Sequence, residues 1–197
     1  WETAARLGAS LTVVELDILA DPAVAANPAD RCYYCKKALF TRLLEAAGAG
    51  GFPLVLDGSN ASDDAGDRPG MRALRELGVR SPLRECGVTK ADIRRLAREA
   101  ELPVWSKPSY ACLATRIPAG TAITARDLGR VSRGEAALMR EGLTDFRLRL
   151  RGEDALLQVR GEQMDLARRL LEKRHEPLLD GFREVRLDET PRESRET

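Results

Sequence analysis

LTVVELDI, residues 11–18, is a run of apolar and β-branched residues that reads as a strand. What flanks it sets the fold class. Ahead of it, TAARLGA (3–9) reads as the last turns of a helix stopped at Gly8. After it, a polar loop with Pro22 and Pro28 leads to a helix from about Cys32 to Ala47, which GAGG (48–51) ends. FPLVLDG (52–58) reads as a second buried strand, and DGSNASDDAGDRPG (57–70) as a long polar loop. Leu74, Leu77 and Val79 suit a short helix. In VTKADIRRLAREAELP (88–103), Thr89 is placed as an N-cap, Asp92 in the reaching-back position and Pro103 past the end. Strand alternating with helix implies an α/β fold, a parallel sheet with helices on its faces. Ligands of such sheets sit beyond the carboxyl ends of the strands, where the Cys32 and Asp57 loops both fall.

The character changes after YACLATRIPAG (110–120). Thr124 caps a helix running to Gly142, followed by the alternating segments DFRLRLRG (145–152) and DALLQVRG (154–161), an antiparallel hairpin. A helix through QMDLARRLLEKR (163–174) and a strand in FREVRLDE (182–189) complete the order helix, strand, strand, helix, strand. The expected division is a first domain over 1–118 and a small α+β domain over 119–197.

The 197 residues include 32 basic and 31 acidic side chains, a net charge of +1. That balance gives no long basic footprint for duplex DNA or RNA, so no nucleic-acid partner is expected, while a local pocket for a phosphate remains compatible with it. No apolar run approaches the ~20 residues that span a bilayer, so no membrane partner is expected. WETAARLG lacks the charged and apolar regions of a signal peptide. A cytoplasmic protein with reduced thiols is the expectation, and there a Cys-x-x-Cys leans towards metal or redox chemistry.

Cys32 and Cys35 fall at a helix start, whose free N–H groups favour negative charge, and Lys36 and Lys37 follow them. Two thiolates cannot complete a zinc or iron–sulfur site. A third ligand would come from Cys86, Cys112 or the single histidine, His175, which sits on a charged helix where a solvated role is expected. Two small buried residues on a helix are an equal reading of the pair. Asp57, Asp63, Asp64 and Asp67 lie just past a strand, where carboxylates suit Mg²⁺ riding on nucleotide phosphates, and Gly58 and Gly70 would let the backbone approach a ligand. An ordinary acidic loop with Asx turns is the competing reading, and taken alone it is the stronger. Arg147, Arg149 and Arg151 share one face of a strand because side chains alternate with period two. They are either an anion site or a solvent-exposed face, and Arg116 is a further candidate anion ligand.

The succession NPADRCYYCK, LDGSNASDD, LPVWSKPSYACLATRIPAG and FRLRLRGEDALLQV resembles the LarE family in order and spacing over nearly the whole chain. LarE proteins are ATP-dependent sulfur transferases of the PP-loop ATP pyrophosphatase superfamily. The resemblance implies a partial adenine-nucleotide-hydrolase-like, Rossmann-like sheet followed by the small α+β domain. It implies a chemistry in which a carboxylate of a pyridinium mononucleotide is adenylated and converted to a thiocarboxylate, towards the nickel-pincer nucleotide cofactor. A small-molecule nucleotide partner and a homo-oligomer are implied with it.

Some members of that family sacrifice the sulfur of the cysteine in the CLATR-type loop; others hold a 4Fe–4S cluster by three thiolates and deliver sulfide from its open iron. Cys32, Cys35 and Cys112 resemble the cluster type, with Cys112 at the chemistry. By the same resemblance Asp57, Gly58, Asp63 and Asp64 would surround ATP and its Mg²⁺, and Arg116, Arg147 and Arg149 would hold phosphates. Gln158 and Ala119 depart from the family pattern, which more often has a carboxylate and an aromatic there. The Ser-Gly-Gly-x-Asp-Ser PP-loop is nowhere in the chain. The expectation is therefore an N-terminally truncated chain, inactive by itself and poor at binding ATP. The alternatives are a PP-loop tRNA thiolation enzyme and a non-catalytic zinc-binding module.

Overall fold

Helices, short 3₁₀ turns and one small sheet make up the computed structural model, which describes residues 1–63, 69–107, 110–172 and 181–192. The chain separates into two units, one of residues 1–24 and 30–107, the other of 25–29 and 108–196. The class is mixed α/β.

The first unit is helical. Its helices are α1 (Glu2–Arg6), α2 (Pro22–Ala25, whose last residue falls in the second unit), α3 (Arg31–Ala49), α4 (Pro69–Glu76), α5 (Pro82–Glu85) and α6 (Lys90–Glu99). The capping box read at α6 forms: Thr89 Oγ1 accepts from the Asp92 amide at 3.2 Å and Asp92 Oδ2 accepts from the Thr89 amide at 3.1 Å. α4 begins earlier than Leu74 and stops where Gly78 takes a left-handed φ of 69°, letting the Val79 amide reach the Leu74 carbonyl at 3.0 Å. α3 packs on α4, where the Tyr33 hydroxyl donates to Glu76 at 2.6 Å and the Arg72 guanidinium lies 4.0 Å from the Tyr33 ring centroid.

The two strands expected in this unit do not form a ladder among the described residues. Residues 11–17 carry no strand, and of 52–58 only Leu56 pairs, in a single parallel bridge to Arg80. The physical reason is that an extended segment is held only by its neighbours. Leu11, Val13, Leu16, Phe52, Leu54 and Leu56 are all exposed, so neither the ladder nor the burial that would fix a sheet is supplied here.

The second unit realises the expected order. α7 (Ala125–Arg140) is capped by Thr124, whose Oγ1 accepts from the Asp127 amide at 3.0 Å. β1 (Arg147–Arg151) and β2 (Asp154–Gln158) form the antiparallel hairpin, with Arg147 opposite Gln158 and Arg151 opposite Asp154. Gly152, at φ 64°, supplies the left-handed residue the tight turn needs. After α8 (Met164–Glu172), β3 (Val185–Leu187) adds parallel to β2, giving sheet order β1-β2-β3.

Leu148, Leu150, Ala155 and Leu157 point to one side and are buried with Val131 and Leu138 of α7 and Ala167 and Leu170 of α8. Gly134 lets α7 come close, since a Cβ there would lie 2.5 Å from Leu148 Cδ2. Buried Arg130 donates to the carbonyls of Gly181, Gly152 and Glu153, the last at 2.9 Å.

Candidate functional site

In the second unit, alternation leaves Arg147, Arg149, Arg151, Leu156 and Gln158 on the face of the hairpin opposite the core. The segment 110–117 is held beside β1. Its 3₁₀ turn, Leu113–Arg116, starts from Cys112, which is exposed and whose thiol is free. Thr115 fastens the turn from within, its amide and its hydroxyl both donating to the Cys112 carbonyl, at 3.0 and 2.7 Å.

Arg116 is 1% exposed, and its guanidinium is spent inside the unit. Nε and Nη2 donate to the two oxygens of Glu135 at 2.7 and 3.0 Å, and Nη1 donates to Thr115 Oγ1 at 2.9 Å and to the carbonyls of Ala111 and Cys112 at 3.2 and 3.4 Å. Glu135, equally buried, also accepts from the Leu148 amide at 3.0 Å and from the Tyr110 hydroxyl. Burial, together with the hydrogen bond to that carboxylate, pushes the Tyr110 hydroxyl up to about 12, so it remains a donor.

Arg149 donates to Gln158 Oε1 at 2.5 Å and to the Thr115 carbonyl at 3.0 Å. Gln158 in turn donates to Asp188 Oδ2 at 2.7 Å, so the carboxylate absent at 158 is reached one residue beyond β3. Arg147 donates to the Phe146 carbonyl at 2.6 Å and stands 3.8 Å from Asp145, which also takes Arg160 and Arg192. Burial and the neighbouring Arg116 and Arg192 charges hold the Arg147 guanidinium below its ordinary value.

In the first unit, Cys32 and Cys35 fall in the first turns of α3 as expected, Cys32 exposed and Cys35 half-buried, neither in a disulfide. Arg31 Nη2 lies 3.5 Å from Cys32 Sγ. Asp57 is held rather than displayed. Oδ1 accepts from Ser81 Oγ at 2.5 Å and the Ser59 amide at 3.2 Å; Oδ2 accepts from Ser59 Oγ at 2.6 Å and faces Lys36 Nζ at 3.9 Å. Burial pushes this carboxyl up, but the Ser59 and Ser81 hydrogen bonds and the Lys36 charge outweigh it and leave it below the usual carboxylate value.

Gly58 has open space where a Cβ would stand, whereas at Gly70 that space is taken by Lys36 Cδ at 3.0 Å. Asp63 Oδ2 accepts from the Asn60 amide at 2.9 Å, one more bond inside the loop. Asp64, Asp67 and His175 lie outside the described residues. Cys86 is the exposed C-cap residue of α5. Among the described residues there is no group of three or more histidine, cysteine or acidic side chains that could hold a metal ion. A groove of about 370 Å³ runs along α3, lined by Leu16, Asp21, Tyr34 and Thr41 among others, and contains none of the expected site residues. No described helix is long and apolar enough to cross a membrane.

Glu135, Tyr110 and Ser81 are site partners that the sequence reading missed. Glu135 did carry a signal: it stands four residues after Val131 and three before Leu138, an acid within the stripe that α7 buries.

No protein-family model matches the chain. It is 38% identical over 158 residues to an uncharacterized protein of Synechocystis sp., covering 80% of this chain and 59% of that one. It is 35% identical over 156 residues to the pyridinium-3,5-bisthiocarboxylic acid mononucleotide synthase of Lactiplantibacillus plantarum, 79% and 56% of the two chains. An uncharacterized protein of Methanocaldococcus jannaschii is 31% identical over 135 residues, 68% and 51%. The chain spans between about half and three fifths of the length of these curated relatives.

Proposed function

We propose that this chain is part of a LarE-type enzyme that transfers sulfur to an adenylated carboxylate of a pyridinium mononucleotide during nickel-pincer nucleotide cofactor synthesis. The observation that carries this reading is the 35% identity to a pyridinium-3,5-bisthiocarboxylic acid mononucleotide synthase. The exposed Cys112 beside an arginine-bearing strand is in keeping with it. ATP would activate the carboxylate as an acyl-adenylate with loss of pyrophosphate, and a sulfur nucleophile would displace AMP from the acyl carbon.

The surroundings of each residue support a task for it. Cys112 is the sulfur-handling residue. Arg147 and Arg149 would offset the charge of phosphate groups, and Arg149, tied to the Thr115 carbonyl, keeps that charge beside the Cys112 turn. Arg116 serves the loop, because each of its three guanidinium nitrogens donates inside the unit. Asp57 fits poorly as a Mg²⁺ ligand, since both its oxygens accept from serines; its role is to shape the 57–63 loop against which a nucleotide would rest. ATP, Mg²⁺ and a Rossmann-like sheet belong to the proposal for the whole protein, and the parallel bridge between Leu56 and Arg80 is compatible with such a sheet.

A 4Fe–4S cluster on Cys32, Cys35 and Cys112 is part of the proposal. Three cysteines that form no disulfide, two exposed and one half-buried, offer the sulfur ligands such a cluster needs, and when bound it would supply the sulfide. Anaerobic reconstitution of the whole protein with iron and sulfide tests it. The parent is expected to take up about four irons with visible charge-transfer absorption, and Cys112→Ala to lose most of it. Equal uptake by Cys112→Ala overturns the three-thiolate set. A mass loss of H₂S from Cys112 after turnover would instead assign the sulfur to that residue.

A further inference from the structure

We infer that Glu135 is a positioning residue for Cys112, acting through Arg116. The inference rests on the reading of Cys112 as the sulfur-handling residue. A carboxylate buried in the core stripe of a helix is costly unless its oxygens are satisfied, and Glu135 takes four donors. Two come from Arg116, one from the Leu148 amide of β1 and one from Tyr110, two residues before Cys112. The ion pair therefore joins α7, the first strand and the start of the loop at a single carboxylate.

The Arg116 edge left over, Nη1, faces the backbone of Ala111 and Cys112 and the Thr115 side chain. A guanidinium is planar and forked, so fixing two of its nitrogens on Glu135 fixes the direction of the third. The Cys112 carbonyl, which Thr115 holds from within the turn, thus gains a second anchor whose direction is set by an acid 23 residues later in the chain. Lysine at 116 could not do this, since a single nitrogen cannot hold Glu135 and the loop carbonyls together.

The test is amide hydrogen exchange at Thr115, whose N–H closes the turn onto the Cys112 carbonyl, with the Leu138 amide in α7 as the reporter of the unit as a whole. In Glu135→Gln an N–H₂ would face the Arg116 and Tyr110 donors. Thr115 exchange is expected to rise at least about tenfold while Leu138 exchange stays within about twofold. Because a stranded Arg116 charge could unfold the unit, the double variant Arg116→Met/Glu135→Met, which removes both buried charges together, is measured alongside. It too should show the selective rise at Thr115.

Thr115 and Leu138 rising in parallel, or Thr115 unchanged in a folded double variant, overturns the assignment. In the whole protein, the double variant should lower kcat for sulfur transfer about tenfold or more at unchanged KM. If Thr115 loosens and kcat does not move, the positioning of Cys112 stands and the sulfur role given to Cys112 falls.

Discussion

At the residue scale, Asp57 shows how a side chain that reads as a ligand can be a structural acceptor. Its carboxyl lies below the ordinary 3.8 because the serine hydroxyls and Lys36 prefer the anion more strongly than burial opposes it. A depressed folded-state value means that the unfolded chain takes up the proton first. The contribution of Asp57 to stability is therefore complete above pH 3.8 and lost as pH falls through the lower folded-state value. Acid unfolding followed by circular dichroism from about pH 5 down to about pH 2.5 should show this loss in the parent and a flatter profile in Asp57→Asn. Asp57→Ala should cost about 1–3 kcal/mol at neutral pH, because it strands the Ser59 and Ser81 hydroxyls.

The two thiols of α3 and the acidic loop were legible in the sequence, since capping and turn chemistry are local. The Arg116–Glu135 pair was not. Its partners are 19 residues apart, and an arginine four residues after a cysteine looks the same whether it faces ligand or core.

At the element scale, local rules carried as far as each element's own contacts. The hairpin was legible because period-two alternation and Gly152 specify register and turn together. α6 and α7 were legible because Thr89 and Thr124 are caps whose bonds lie within four residues. Residues 11–18 carry an equally good strand pattern and still form no ladder among the described residues, since pattern states a preference and pairing requires a partner. Packing between elements leaves its mark in single positions. Gly134→Ala would drive a methyl into Leu148 Cδ2 and towards Phe182, 3.2 Å from the new Cβ. It should destabilise the second unit by about 1–3 kcal/mol, read as a lower Tm, although alanine is the better helix former. Shortening the obstacle in the double variant Gly134→Ala/Leu148→Ala should return less than an additive loss.

At the scale of the whole molecule, charge and apolar exposure act together. The net charge is +1 and the pI about 7.9, so near pH 8 little long-range repulsion keeps copies apart. Leu11, Val13, Phe52, Leu54 and Leu56 meanwhile present apolar side chains to solvent in the first unit, Phe52 at 67% exposure. Light scattering of this chain should peak near pH 8 and fall on acidification towards about pH 5, where the carboxylates begin to take up protons and net charge grows. Phe52→Ser/Leu54→Ser should lower the peak without lowering the Tm of the second unit. Scattering independent of pH and of these substitutions would refute the link.

Arg130 has a consequence for the way the second unit assembles. Its guanidinium joins α7 to the carbonyls of the hairpin turn, 22 and 23 residues later, and to that of Gly181, 51 residues later. Until all of these arrive, a buried cation is left short of acceptors, so any assembly intermediate with α7 docked but the hairpin or residue 181 adrift lies uphill. A single side chain thereby turns three separate stretches of chain into one cooperative step.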